Sequence, residues 1–405
     1  MERKMILGAA LDLFGTVLEY RRYLHSHAEL SFGERETADY IARVLEREGI
    51  RFSRIAGTGI LARIDGYTSS KRTVVLRADI DALPVSERTG LPFASVNEGV
   101  MHACGHDMHA AALLGALLLL RDRRDRFEGT VLGLFQPGEE VNPGGASLVL
   151  KEEPFAEFDV AAVIGEHVEP ELPTGTVGFR AGKYMASSDE VRITVRGQGG
   201  HAALPHRLKD PVVAAAAMIS AFQQIAGRNA DPRVPTVFSI GRVIADGATN
   251  VIPDTVEMEG TLRTFEERWR SDARDRIRAI ATGTAAAYGV EAGVDISVGY
   301  PCVVNDASLV ALGRSVCTGL LGREAVVKLG LRPTAEDFGY YTQRYPSLFF
   351  RVGVGYADGH SAGRLHTSAF NPDEKALCYG VAVLSALALE ILGLPAVRKD
   401  SPDAE

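Results

Sequence analysis

The sequence predicts an α/β protein: a mainly parallel sheet flanked by helices, interrupted by an inserted ferredoxin-like α+β domain. Three observations carry this. Short, almost continuously apolar segments at 58–64, 73–78, 130–135 and 160–164 alternate with stretches of helical periodicity, as strands covered on both faces by helices do. From about residue 182 the strands alternate apolar and polar residues instead, and the elements follow the order β-α-β-β-α-β of a split βαβ motif. After about residue 294 the first pattern returns. The chain is therefore read as one domain built from 1–181 and 295–405, with a second domain, 182–294, inserted into it. Its 405 residues are ample for two cores.

Taken in order, helices are expected over 5–24 and 34–48, the second stopped by Gly49. The strands 58–64 and 73–78 follow, the latter running into Asp79-Ile80-Asp81. A long apolar helix begins after His106. Strands 130–135 and 160–164 end in Glu139-Glu140 and Gly165-Glu166-His167. Each strand thus delivers a potential ligand at its carboxyl end, where open α/β sheets bind their ligands. In the inserted domain, strands are expected at 190–196, 236–243, 255–264 and 294–298, with helices at 211–225 and 266–288. A helix at 307–321, strands at 325–329 and 348–354, and a final helix at 372–392 complete the first domain, leaving a polar, frayed tail at 395–405.

The net charge of −8 and the lack of a basic patch speak against nucleic-acid or acidic-membrane partners. Cys104, Cys302, Cys317 and Cys378 are scattered and form no disulfide framework, which fits a reducing compartment. Asp12 interrupts the first apolar patch too early for a signal segment, and no stretch reads as long and apolar enough to cross a bilayer. A cytoplasmic protein is expected.

The chemistry concentrates in Met101-His102-Ala103-Cys104-Gly105-His106-Asp107-Met108-His109. A thiol and three imidazoles within eight residues, in a chain with only ten histidines and four cysteines, point to a soft or borderline divalent cation. Cys104 and His106, two apart across a glycine, can face one ion or a pair of ions. Asp107 stands where a helix begins and suits a cap or a supporting role behind the ligands. Glu139 and Glu140 are adjacent, so one carboxylate can bind metal while the other faces a water as general base. His167 is a further candidate, and His366 and His360 compete for a place in one Gly-rich loop. In the inserted domain His201 follows Gly197-Gln198-Gly199-Gly200, whose glycines allow close approach to a ligand. Asn250 and Arg263 are polar residues at strand edges, where they either bind a ligand or satisfy local structure.

Several blocks, in order, resemble one known family. Leu76-Arg77-Ala78-Asp79-Ile80-Asp81-Ala82-Leu83-Pro84, His102 to His109, Gln136-Pro137-Gly138-Glu139-Glu140, Gly199-Gly200-His201-Ala202-Ala203, Glu336-Asp337-Phe338-Gly339 and Leu365-His366-Thr367 are similar to the M20 metallopeptidases and amidohydrolases, in particular the branch of hippurate hydrolase, N-acyl-amino-acid amidohydrolases and auxin-conjugate hydrolases. The resemblance implies a catalytic domain holding two divalent ions, with Zn²⁺ or Mn²⁺ favoured and Co²⁺ or Ni²⁺ compatible, on Cys104, His106, Glu140, His167 and His366. It implies Glu139 as the general base of a metal-activated water that cleaves N-acyl amino acids, with His201 steadying the oxyanion from a lid and dimerisation domain. Asp79 and Asp107 would orient ligand imidazoles, and Asn250 and Arg263 would bind the substrate carboxylate. A homodimer or homotetramer is implied as well. The rival readings are a dipeptidase or aminopeptidase of the same family, or a non-catalytic metal-containing binding protein. Three positions depart from the family pattern: Ala28 for a proline, Gly138 for a residue that is commonly Ala, and Thr367 for Ser.

Overall fold

A computed structural model describes residues 2–393; the tail expected to fray at 395–405 lies outside them. The described residues form two compact units, one made of residues 2–182, 305–330 and 341–393, the other of 183–304 and 331–340. Each is described by itself.

In the first unit the helices are α1 (Glu2–Asp12), α2 (Phe14–Ser26), α3 (Arg35–Arg47), α4 (His106–Arg121), α5 (Gly145–Lys151), α8 (Ala307–Leu321), α9 (Gly339–Thr342, starting in the second unit) and α10 (Ala376–Gly393). Its strands are β1 (Arg51–Ile55), β2 (Gly59–Asp65), β3 (Arg72–Asp79), β4 (Thr130–Gln136), β5 (Asp159–Pro173), β6 (Val177–Phe179), β15 (Val326–Lys328) and β16 (Ser347–Gly355). Among the described residues they form one eight-stranded sheet in the order β1-β2-β4-β3-β5-β16-β6-β15. Its centre, β4-β3-β5-β16, is parallel throughout, and antiparallel pairings flank it on both sides. That places the carboxyl ends of β3 and β4 side by side, with Asp79 opposite Gln136.

Helix α4 is buried from His106 to Leu120, which explains its Ala- and Leu-rich sequence with no polar face. It packs between α10, α2 and the sheet. Gly105 before it has φ +83°, and a Cβ there would lie 2.6 Å from Val168 Cγ2, so only glycine lets the chain turn into α4 with His106 in its first turn.

Several sequence expectations change, among them the bounds of the second unit, which takes in 295–304 and 331–340 beyond the expected 182–294. The helix expected over 5–24 is two helices broken at Leu13. Strand β1 was not anticipated because this edge strand is mostly exposed and polar. Strand β5 runs from Asp159 to Pro173, so His167 sits inside the strand rather than beyond its end; Gly165, Glu166 and His167 read as a stop only because their buried polar side chains need tertiary partners. Finally, α10 is long and apolar enough to cross a membrane, contrary to the reading that no segment is. Its residues pack into the core of the first unit instead, from Ala376 to Leu392.

The second unit contains β8 (Asp189–Arg196), α6 (Pro211–Gln224), β10 (Thr236–Ile244), β12 (Thr255–Thr264), α7 (Glu267–Ala287) and β13 (Glu291–Val298). Among the described residues its main sheet is antiparallel, in the order β10-β12-β8-β13, the strand order of a ferredoxin-like fold. Asp210 caps α6 by accepting from the backbone N–H groups of Val212 and Val213. Apolar residues from β8 and β12 and from α6 and α7, among them Ile193, Met258, Phe222 and Ile277, form its core. Two short pairs complete it: β7 (Gly182–Met185, starting in the first unit) with β14 (Val303–Asn305, ending in the first unit), and β9 (Gly200–His201) with β11 (Val251–Ile252).

Candidate metal centre

Five of the residues singled out in the sequence meet in the first unit. Cys104 Sγ lies 3.4 Å from His167 Nε2 and 3.3 Å from His366 Nε2. His366 Nε2 is 3.3 Å from Glu140 Oε1, and His106 Nε2 is 3.9 Å from the same oxygen. Two atoms bound to one four-coordinate zinc sit about 3.5 Å apart, given bonds of about 2.0–2.3 Å, so these separations suit donors that share an ion. The buried His106 Nε2 has no hydrogen-bond partner. Buried polar atoms are rarely left so, and a cation beside it would supply the missing interaction. The donors form two overlapping sets, Cys104 with His106 and His167, and Cys104 with Glu140 and His366, sharing the thiol.

The ring orientations agree. His106 Nδ1 donates to the Asp81 backbone carbonyl at 2.9 Å and lies 3.2 Å from Asp81 Oδ1, while His167 Nδ1 donates to the Val168 carbonyl at 2.8 Å. With Nδ1 carrying the proton in each ring, the Nε2 lone pairs face the shared space. His366 has φ +62°, an uncommon backbone for a non-glycine residue, and is held there by its own N–H donating to Ala103 O at 2.8 Å. That bond joins the His366 loop to the Cys104 loop. The competing His360 is exposed and paired with Asp358.

Glu139 is buried, and one oxygen of its carboxylate lies within 4.8 Å of ligand atoms of His106 and Glu140. Hydrogen bonds to Cys104 and Glu140 push His366 up to about 10. Burial, and then the Glu140 carboxylate, raise the Cys104 thiol. Burial, with Arg351 next, keeps His167 well below the usual histidine range.

Of the two carboxylates expected behind the ligands, Asp79 lies 3.9 Å from His106 Nδ1 and also holds His109, whereas Asp107 holds other groups. Asp79 Oδ1 accepts from His109 Nδ1 at 2.6 Å, and His109 Nε2 accepts the Val168 N–H at 2.9 Å. Asp107 Oδ2 accepts from Arg21 Nε and pairs with His25 Nδ1, both at 2.8 Å. Burial alone would raise the Asp107 carboxyl, but Arg21 and His25 outweigh it and hold it well below the usual range. The carboxylate nearer the His106 ring is Asp81, which also accepts the Glu140 N–H at 2.9 Å and the Ser31 hydroxyl at 2.7 Å. Its only sequence signal was the second acid of Asp79-Ile80-Asp81.

In the second unit His201 lies on β9, opposite Val251 of β11, and is exposed. Its Nδ1 accepts the Ala203 N–H at 3.1 Å, which leaves the Nε2 proton as a donor. Asn250 is its neighbour, accepting the Ala202 N–H at 3.0 Å through its backbone carbonyl. Arg263 stands apart from them in the pairing pattern, on β12 opposite Val237, with Nε donating to Thr261 Oγ1 at 3.1 Å.

The sequence pattern of peptidase family M20/M25/M40 matches residues 75–390. N-acetylcysteine deacetylase of Bacillus subtilis (strain 168) is 39% identical over 378 residues, which span 93% of this chain and 97% of that protein. N-acetyldiaminopimelate deacetylase of Halalkalibacterium halodurans is 37% identical over 370 residues, 90% of this chain and 96% of that one. Among solved structures, a Bacillus subtilis dinuclear metal-binding peptidase of the M20 family matches with a TM-score of 0.82 at 36% identity, over 94% of this chain and 98% of that one.

Proposed function

The chain belongs to peptidase family M20/M25/M40, and on that premise we propose that it is a metal-dependent amidohydrolase that cleaves N-acyl amino acids into a carboxylic acid and a free amino acid. The observation that carries this reading is the meeting of Cys104, His106, Glu140, His167 and His366 beside the buried Glu139. The two relatives named above are deacetylases of acetylated amino acids, so acetyl amino acids are the first substrates to try.

In this reading the five donors would hold two divalent ions; thiolate and imidazole favour Zn²⁺, and the carboxylate also suits Mn²⁺. When bound, the ions supply Lewis acidity that polarises the scissile carbonyl and acidifies the attacking water. Glu139 takes the proton from that water and returns it to the leaving amine. His201, with its Nε2 proton available, donates to the developing oxyanion. Arg263 and Asn250 take the free carboxylate of the substrate, a role suited to the planar guanidinium fork. The unit that carries them serves as lid and as dimerisation surface, making the protein a homodimer or homotetramer. Four free, buried cysteines among the described residues support a cytoplasmic setting.

The test is hydrolysis of a panel of acetyl and benzoyl amino acids beside dipeptides by metal-loaded protein, with Glu139→Gln and chelator-treated samples in parallel. Acyl amino acids should be cleaved and both controls should be inactive. Turnover of dipeptides alone would make the chain a peptidase, and tight binding of about two ions without any turnover would make it a binding protein.

A further inference from the structure

Glu34 lies in the loop before α3, its side chain fully buried, and no cation pairs with it among the described residues. A bare carboxylate in such a place is costly unless it is well hydrogen-bonded. Here Oε1 accepts the backbone N–H groups of Phe32 and Gly138, both at 2.8 Å, and Oε2 accepts the Thr58 hydroxyl at 2.6 Å.

The Gly138 bond is the informative one. Gly138 has φ +60°, and a Cβ there would fall 2.3 Å from Phe32 Cε1, so the Phe32 ring lies directly against its backbone. Its carbonyl accepts the Gly145 N–H at 2.9 Å. The residue immediately before Glu139 is therefore held at its N–H by Glu34, at its carbonyl by Gly145, and over its backbone by Phe32. One residue after Glu139, the Glu140 N–H goes to Asp81 Oδ2 at 2.9 Å. The general base thus stands between two amides, each held by a different buried carboxylate.

We infer that Glu34 is a positioning residue for Glu139, resting on the amidohydrolase reading above: it sets the backbone from which the general base projects, while Asp81 separately sets the ligand Glu140. The two carboxylates divide the work. Loss of Glu34 misdirects the base and leaves the metal ligands in place, because none of its hydrogen bonds reaches Cys104, His106, Glu140, His167 or His366. A base displaced by an ångström loses turnover far more than binding.

The test compares Glu34→Leu, Glu34→Gln and Thr58→Val in the metal-loaded, full-length protein. Three quantities are read: kcat and KM on the best acetyl amino acid, metal per chain, and hydrogen–deuterium exchange of peptides covering 136–141. Glu34→Leu should lower kcat by roughly tenfold or more with KM within about twofold. Metal content should be unchanged and exchange around Gly138 faster. Glu34→Gln should recover most of the activity and the slow exchange, since its amide oxygen can accept both N–H groups while its Nε2 donates to Thr58. A wild-type kcat for Glu34→Leu, a loss that only tracks lost metal, or a Gln variant as impaired as Leu would overturn the inference. If Glu34→Leu fails to fold, Thr58→Val carries the same test, with a smaller fall in kcat and faster exchange expected. Exchange needs no substrate, so it decides the clamp even if the wild type cleaves nothing, an outcome that would sink the amidohydrolase reading instead.

Discussion

Asp81 grips Glu140 by its backbone: Oδ2 accepts the Glu140 N–H at 2.9 Å while Oδ1 lies 3.2 Å from the Nδ1 of His106. One carboxylate thereby sets two of the donors, through a main chain in one case and a ring in the other. Asp81→Ala should weaken metal binding by roughly 10–100-fold, the usual cost of losing such support. Competition against a chromogenic chelator measures this, and an unchanged affinity would remove Asp81 from the metal centre.

Metal uptake should release protons and strengthen as pH rises. In the metal-free protein His366 is pushed up to about 10 and the Cys104 thiol is also raised, so at neutral pH both hold protons that an ion must displace. Calorimetric titration in two buffers of different ionisation heat counts the protons, and a count of zero contradicts the assignment of these two ligands. The sign for folding of the metal-free chain is opposite. A raised histidine favours the folded state fully below its ordinary value of 6.5, and that contribution is lost as pH climbs through about 10.

Arg21→Met should destabilise the protein by about 3–5 kcal/mol, because it leaves the Asp107 carboxylate buried without its guanidinium. Urea unfolding at neutral pH is the measurement. The depressed Asp107 carboxyl contributes stability above the ordinary aspartate range, and that part disappears as pH falls toward its own low folded value. The gap between variant and wild type should therefore narrow in acid, and a gap that stays constant would mean the pair is not charged.

Gly138→Ala should both strain and crowd the loop. A left-handed backbone costs an ordinary residue about 1–2 kcal/mol, and the new methyl would meet the Phe32 ring at 2.3 Å. Pairing it with Phe32→Ala should relieve the crowding and keep the strain, so the double variant should be more stable than the sum of the two singles predicts. Thermal melts of all four proteins decide it; strict additivity would mean the ring simply moves aside.

The elements most legible in the sequence were those whose pattern is internal to a segment. The helix at 307–321 matches α8 (Ala307–Leu321), and the order β-α-β-β-α-β resolves into β10-β12-β8-β13, because alternation and helical periodicity are written into contiguous residues. Strand β5 was cut short at Ile164 for the opposite reason. Glu166 and His167 look like surface residues until the partners that bury them are known, and burial raises the Glu166 carboxyl to about 8.

By itself the sequence determined that the chain is α/β with an inserted α+β domain, marked Cys104, His106, Glu139 and Glu140 as candidates for its chemistry, and showed which family blocks they belong to. Those are matters of residue type and short spacing, and nothing distant alters them. Only the tertiary structure showed His366 within 3.3 Å of Cys104, and Asp81 nearer to His106 than Asp79 is while Asp107 turns to Arg21. It alone joined Glu34 to Gly138 across more than a hundred residues. A hydrogen bond depends on where two loops are held in space, and that is set by the packing of α4 and the parallel strands between them, to which local sequence gives no access.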